Sequence, residues 1–354
     1  MKKFLNSTMV ATALVLGAAG GAVAGAEEKA PLGKINDALT VTALLETEFS
    51  SAKNFAGESS SDLTLSTVEL GFDFTPTDWA AAHVLLKYEE GKNDNDIEID
   101  EAFFTLGNAE HFPLKFTAGK FVLPFGVFAT KMIQDPLTQE LGEINKTAVA
   151  LGVESNGFVA ALFGYKGMGE IGATDDVRGM GAMLGYGYEA DTTKLRFSLS
   201  WVNNIADAGT VEDFLDEQGF EAVQDEVAGL ALSAGATFGP VSLSAEYVAA
   251  LDNYDPAQFA FGADGAKPRA WQAEVAYTME IMERETVFAL GYQGTSEALA
   301  LGLPETRLLA AASVELVPHI NLALEYFHDE DYGIADGGTG EGADTVTLKL
   351  AFEL

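Results

Sequence analysis

Apolar and polar residues alternate one by one along most of this chain. Leu195, Phe197, Leu199 and Trp201 are interleaved with Arg196, Ser198 and Ser200. A strand points successive side chains to opposite faces, so such a segment carries one greasy face and one polar face. The same period runs through Val68–Phe74, Val241–Tyr247, Trp271–Tyr277, Ile320–Tyr326 and Val346–Leu354. About sixteen such segments are predicted, starting near residues 38, 63, 79, 97, 114, 147, 158, 179, 194, 227, 241, 269, 286, 305, 320 and 343. Each is roughly ten residues, the length of a tilted membrane strand. Within Ile97–Leu106 the alternation changes phase near Asp100.

The connections alternate too. Short polar turns fall at Thr75–Asp78, Ala190–Thr193, Gly239-Pro240 and Pro318-His319. Between them lie longer segments: Ser51–Asp62, Phe121–Lys146, Lys166–Arg178, Asn203–Glu226, Asp252–Pro268 and Asp329–Asp344. Turns at one end and loops at the other is how outer-membrane barrels are built.

Period two alone also fits a soluble β-sandwich. Three features select the membrane. Met1 to about Ala26 reads as a secretory signal peptide, with Lys2 and Lys3 before a short apolar run and small residues at Ala22–Ala26. Aromatic residues such as Trp79, Tyr88, Tyr186, Trp201, Trp271 and Tyr326 sit near segment ends, where interfacial girdles belong. The last segment is apolar at every second position to its final residue, Leu354. The expected fold is therefore all-β: a transmembrane antiparallel β-barrel of about sixteen strands, with short periplasmic turns and long extracellular loops. It spans residues 27–354, after a signal peptide at 1–26. Strands cross hydrocarbon only in a closed sheet, because each unpaired backbone group there costs several kcal/mol. Sixteen strands enclose more space than side chains fill, which leaves an aqueous channel. Passage of a small solute across a bacterial outer membrane is the expected role. The expected partners are the bilayer and its lipopolysaccharide, and other copies of the chain in a homotrimer.

Composition narrows the chemistry. Among 354 residues, 54 are acidic and 20 basic, a net charge of −34, which excludes nucleic acid as a partner. Yet 48% are hydrophobic, too many for a disordered acidic chain. No cysteine is present, which removes disulfides and thiolate chemistry. The four histidines, His83, His111, His319 and His328, show no Ser/His pairing, and no enzyme, cofactor or metal site is expected. Asp94, Asp96 and Glu98 approach a calcium-loop spacing but lack the turning glycine. Gly167, Gly169 and Gly172 match a dinucleotide fingerprint with no helix after them. The acidic runs Asn203–Glu226 and Asp329–Asp344 read as a solvated outer surface.

Phe121–Lys146 breaks the alternation and is too long for a turn. It is expected to fold into the lumen as a constriction, redirected by Pro124, Phe125 and Gly126. Lys120, Lys131, Asp135, Glu140, Glu143 and Lys146 would then present charge of both signs to a solute. The polar strand faces are expected to line the lumen with Lys87, Lys115, Lys194, Arg196, Arg307 and Lys349 against Glu69, Asp73, Glu246, Glu274, Glu315, Glu325 and Glu353. A lumen so balanced favours cations or neutral solutes over anions.

The segments AHVLLKYEEG (Ala82–Gly91), IEIDEAFFTLGN (Ile97–Asn108) and FPLKFTAGKFVLPFGVFATKMIQDPLTQELGE (Phe112–Glu143) resemble the siderophore porins of LbtU type. The shared features are a Tyr-Glu-Glu segment, an Asp-Glu-Ala segment, and a Gly-Lys-x-x-x-Pro-Phe-Gly loop ending in Asp-Pro-Leu-Thr-x-Glu-Leu-Gly-Glu. The resemblance implies a plug-free outer-membrane barrel and, as its solute, a ferric siderophore. The same loop also resembles phosphate-type porins. General and carbohydrate-type porins, and a plugged binding barrel without transport, are the alternatives.

Overall fold

The computed structural model describes residues 34–36, 38–92, 95–108, 113–172 and 176–354. The signal segment, His111 and Asp94 lie outside the described residues. The long strands are β1 (Leu39–Lys53), β2 (Ser59–Thr77), β3 (Ala80–Tyr88), β4 (Glu98–Leu106) and β5 (Leu114–Val122). After a helix α1 (Leu137–Gly142) come β6 (Asn145–Ser155), β7 (Phe158–Tyr165), β8 (Gly179–Ala190) and β9 (Thr193–Val202). Helix α2 (Gly209–Glu217) precedes β10 (Gly229–Phe238), β11 (Val241–Ala250), β12 (Arg269–Ile281) and β13 (Arg284–Ser296). The chain finishes with β14 (Thr306–Val317), β15 (Ile320–Glu330) and β16 (Gly342–Glu353).

Each strand pairs antiparallel with the next, and β16 pairs with β1. The sheet is thus a closed antiparallel barrel of sixteen strands with no free edge. A three-residue strand, Lys34–Asn36, folds back onto the start of β1.

The barrel wears its apolar side chains outside. On β16, Val346, Leu348, Leu350 and Phe352 are all exposed, while Thr347 between them is buried. On β8, Met180, Leu184, Tyr186 and Tyr188 point out, and Gly181, Gly185 and Gly187 occupy the inward positions between them. Leu290 is 59% exposed, whereas the inward Gln293 and Glu325 are 1% and 0% exposed. A water-soluble sandwich would show the reverse. A belt of exposed leucine, phenylalanine and valine around a closed sheet is stable only where the surroundings are hydrocarbon.

Seven connections lie at one end of the barrel and eight at the other. Between β6 and β7 only Asn156 and Gly157 intervene, both at positive φ (51° and 82°). That is a type I′ geometry, whose twist matches the flanking strands. Met282 and Glu283 adopt the same geometry between β12 and β13, with φ of 53° and 63°, although neither is glycine.

One strand junction departs from the sequence reading. Ser51–Asp62 is not a long loop. β1 and β2 continue through it, Lys53 pairing with Ser59, and only residues 54–58 turn. Serine-rich extended chain carries no greasy face, so its pairing is invisible to apolar periodicity. The phase change at Asp100 is a β-bulge: Leu85 pairs with Glu101 while Leu86 pairs with Ile99. The extra residue switches the side on which later side chains emerge.

Candidate functional site

The connection from β5 to β6 does not stay above the barrel. Its residues 123–144 run across the interior and lie along the inner wall of β9–β15. Gly126 supplies the bend with φ of 85°, and any Cβ there would strike the ring of Phe128. Phe125 is fully buried against Val202, Ile205 and the Gly229 backbone. The Pro124-Phe125-Gly126 turn is therefore an anchored corner. Beyond it the chain lacks regular structure until α1.

An irregular backbone must find partners for its amides. Here the wall provides them. Gly126 N–H donates to Ser200 Oγ at 3.0 Å. Val127 and Phe128 donate to the two oxygens of Glu246 at 2.7 and 2.9 Å. Lys131 N–H donates to Glu274 at 2.9 Å, and the Thr130 hydroxyl to the same carboxylate at 2.7 Å. Ile133 and Gln134 donate to the two oxygens of Glu325 at 2.6 and 3.2 Å. Leu137 N–H then donates to Gln293 Oε1 at 3.0 Å. Between these contacts Met132 sits in an apolar socket of Ala276, Val287, Ala289, Leu309 and Phe327. Gly291 keeps the socket open, since a Cβ there would lie 3.0 Å from Met132 Cε.

Both ends of the loop join a hydrophobic core inside the barrel mouth. Leu123, Leu141 and Ile144 pack in one cluster with Ile205, Leu215 and Phe259 from other connections. Helix α2 is tied to this layer by Lys146 Nζ donating to Glu212, Thr210 Oγ1 to Glu140 and Gly209 N–H to the Glu143 carbonyl. Asp207, fully buried beside α2, accepts from Tyr165 Oη and from Met168 N–H; burial pushes its carboxyl up to about 6.

The other edge of the loop faces the β1–β4 and β16 wall. Asp135 stands exposed there, within electrostatic reach of Lys87, Lys92 and Lys349. Glu143 feels Asp135, Asp100 and Lys87, and Glu140 feels Asp135 and Arg307. Desolvation inside the barrel raises all three loop carboxyls, that of Glu143 to about 7. Lys131 is instead held below the usual lysine range by desolvation, near Glu274 and Glu285. The wall bases stand beside acids: Lys87 and Lys92 share Glu89, at 3.1 and 3.2 Å, and Lys349 pairs with Glu46 at 2.9 Å. Arg307 is bidentate to Asp329 and lies 4.5 Å above the Phe327 ring. Among the described residues no group of acids and histidines is arranged to hold a metal ion.

Solved outer-membrane channels have this architecture. The chain matches an anion-selective porin from Comamonas acidovorans with a TM-score of 0.60 at 13% identity, over 89% of this chain and 99% of that one. It matches the outer membrane channel DcaP of Acinetobacter baumannii with a TM-score of 0.60 at 14% identity, over 89% and 97%. The Vibrio cholerae outer membrane protein OmpT, in a trimer form, matches with a TM-score of 0.56 at 12% identity, over 90% and 100%. At these identities the likeness is one of fold. In sequence, a Coxiella burnetii protein described as a UPF0422 protein is 29% identical over 319 residues, 88% of this chain and 68% of that protein. A UPF0422 protein of Legionella pneumophila strain Lens is 28% identical over 328 residues, 82% of this chain and 61% of its own. The chain thus spans roughly two thirds of the length of these relatives. No family model matches.

The residues expected to meet a solute divide into five groups. Asp135 and Glu143 lie within electrostatic reach of the β1–β4 and β16 wall, Asp135 of Lys87 and Lys349 and Glu143 of Lys87, with Glu69 beside Lys87, while Glu140 accepts from Thr210. Glu246, Glu274 and Glu325 do point inward, but loop amides occupy them. Lys131 lies against the wall and Lys146 is committed to Glu212. The exception in direction is Lys120. It pairs in register with Ala102 and Thr147 on the outward face, and its Nζ donates to the Ile99 carbonyl at 2.8 Å. Its neighbours Phe116 and Ala118 share that face, so strand parity turns it away from the lumen. The remaining positions are inward and peripheral: Lys115 near Glu154, Asp73 on His83, Lys194 on Glu189, and Arg196 and Glu315 in register with inward positions of neighbouring strands. Glu46, Glu48 and Asp100 belong to the facing wall and were not singled out from sequence. Their two-residue spacing in β1 marks Glu46 and Glu48 as inward neighbours.

Proposed function

We propose that this protein is a porin of the bacterial outer membrane, giving small solutes a passive or facilitated path through the gap between its third long loop and the β1–β4 wall. One observation carries the reading: a closed cylinder, apolar outside, with one connection folded across its interior. The gap holds paired bases and unpaired carboxylates, which favours cationic or neutral solutes. A phosphate-type porin needs free lysine or arginine along the path, whereas Lys87 and Lys92 share Glu89 and Lys349 pairs with Glu46. The resemblance of Ala82–Glu143 to the siderophore porins supports a ferric siderophore as the solute, with a neutral or cationic chelate the better fit to these charges. Trimer formation, contact with lipopolysaccharide and export by the signal segment complete the proposal.

Purified protein in planar bilayers is expected to form steady channels, and absence of conductance would overturn the reading. Liposome swelling with neutral ferric siderophores against sugars of similar size then separates a siderophore porin from a general one. The hydrophobic core built by the loops favours a second reading, a stoppered binding barrel, which the same bilayer measurement decides.

A further inference from the structure

Three inward glutamates do something other than greet solutes. Five consecutive-region amides of the loop, those of Val127, Phe128, Lys131, Ile133 and Gln134, end on Glu246, Glu274 and Glu325. These carboxylates come from β11, β12 and β15, so they follow the loop along the wall. Met132 is plugged into its socket between the second and third of them. No backbone ladder holds this stretch; between Phe125 and α1 it has no regular structure. A lumen filled with water would satisfy those amides equally well in number. What carboxylates add is charge-assisted, directed acceptance that fixes where the strand of loop lies.

We infer that Glu246, Glu274 and Glu325, with the Met132 socket, form a latch that sets the aperture: they are positioning residues for permeation. This rests on the channel reading, because the aperture matters only if solute passes. Unlatching frees residues 126–136 from the wall and lets Asp135 shift in the gap.

The atoms rank the three carboxylates. Both oxygens of Glu325 accept a backbone N–H, so a glutamine must turn its own NH2 against one of them. Both oxygens of Glu246 accept loop amides, and they also take Ser233 and Thr138 hydroxyls. Glu274 differs. A single loop amide, that of Lys131, is shared over its two oxygens at 2.9 and 3.1 Å, so a glutamine oxygen can keep it, and the second oxygen's other partner is the Thr130 hydroxyl, which can rotate and accept instead of donate. Glu274→Gln is therefore the mild variant, and Glu325→Gln and Glu246→Gln the severe ones. A general weakening of the barrel has no reason to follow that order.

The test uses the full barrel, wild type and the three glutamine variants, refolded in detergent, with the heat-modifiable gel shift of a closed barrel as the check on folding. Hydrogen exchange of peptides covering residues 123–136 and single-channel conductance are both read. Expected is exchange at least tenfold faster in Glu325→Gln and Glu246→Gln, under threefold in Glu274→Gln, with conductance raised or unsteady in the same order. Met132→Ser, which changes only the loop, is expected to act like the severe pair and serves where a wall variant does not fold. Unchanged exchange in folded Glu325→Gln and Met132→Ser overturns the latch. A wild type that never conducts overturns the channel reading, while its exchange pattern still reports on the latch.

Discussion

The carboxyl of Glu143 gives the most direct handle on the passage. Desolvation, reinforced by Asp135, raises it to about 7. It is then about 90% ionised at pH 8 and about 10% at pH 6. A monovalent cation passing about 6 Å away gains about 0.7 kcal/mol from one such charge in bulk-like water, and about 2.8 kcal/mol at an effective dielectric of 20. The smaller figure alone is roughly a threefold preference. The potassium-to-chloride permeability ratio, read from reversal potential in a salt gradient, is expected to fall at least about threefold from pH 8 to pH 6. Glu143→Gln should start near the low-pH value and lose most of that slope. Stability moves with the same proton. Because the folded-state value lies above the unfolded one, the ionised form is disfavoured in the fold. The cost, at most about 3 kcal/mol given partial exposure, is fully present above pH 7 and disappears as pH falls towards the unfolded value. A Glu143→Gln barrel with the wild-type pH slope would refute the assignment of this group to the path.

Other substitutions test other layers. Phe125→Ala empties a fully buried corner of the loop core and is expected to lower unfolding free energy in urea by about 3–5 kcal/mol. Leu348→Arg puts a charge on the outward face of β16 and should cost about 2–4 kcal/mol for folding into vesicles. Lys120→Gln, on the outer face, should leave reversal potential unchanged, whereas Lys349→Gln removes a base from the gap and should shift it towards cations.

Strands were legible because each carries its own evidence. Whether Leu348 faces oil is written in Val346 and Leu350, two residues away. All sixteen segments were found this way, with starts displaced by a few residues at most. Even the bulge at Asp100 left a trace as a broken phase. The loop was legible only as a break in the pattern. Its partners lie far along the chain: Ile133 meets Glu325 across a sequence separation of 192. Nothing near either residue marks the pairing, so Glu325 looked like any inward carboxylate. Lys120 was misread for the opposite reason. Its own strand held the answer, but its nearness in sequence to the Pro124 corner outweighed its parity with Phe116 and Ala118.

Two apolar regions of opposite logic coexist in this chain. The outer belt is stable because hydrocarbon replaces water around it. The inner cluster around Phe125, Leu141, Ile205 and Leu215 is an ordinary core, dry because loops cover it. Only the second can be asymmetric about the barrel axis, since the belt must surround the wall completely. The loop core lies against β5–β12 and the carboxylate row against β11–β15, while the charged gap lies towards β1–β4 and β16. Filling one side of a wide cylinder with a folded layer narrows it without needing strands of unequal number or tilt. It also separates two tasks among the carboxylates. Those against the layer are spent on amides and hold position; those across from it stand with wall lysines, as Glu46 does with Lys349, or face the gap. A net charge of −34 therefore overstates the field along the path, which is set by the few acids the loop leaves unoccupied.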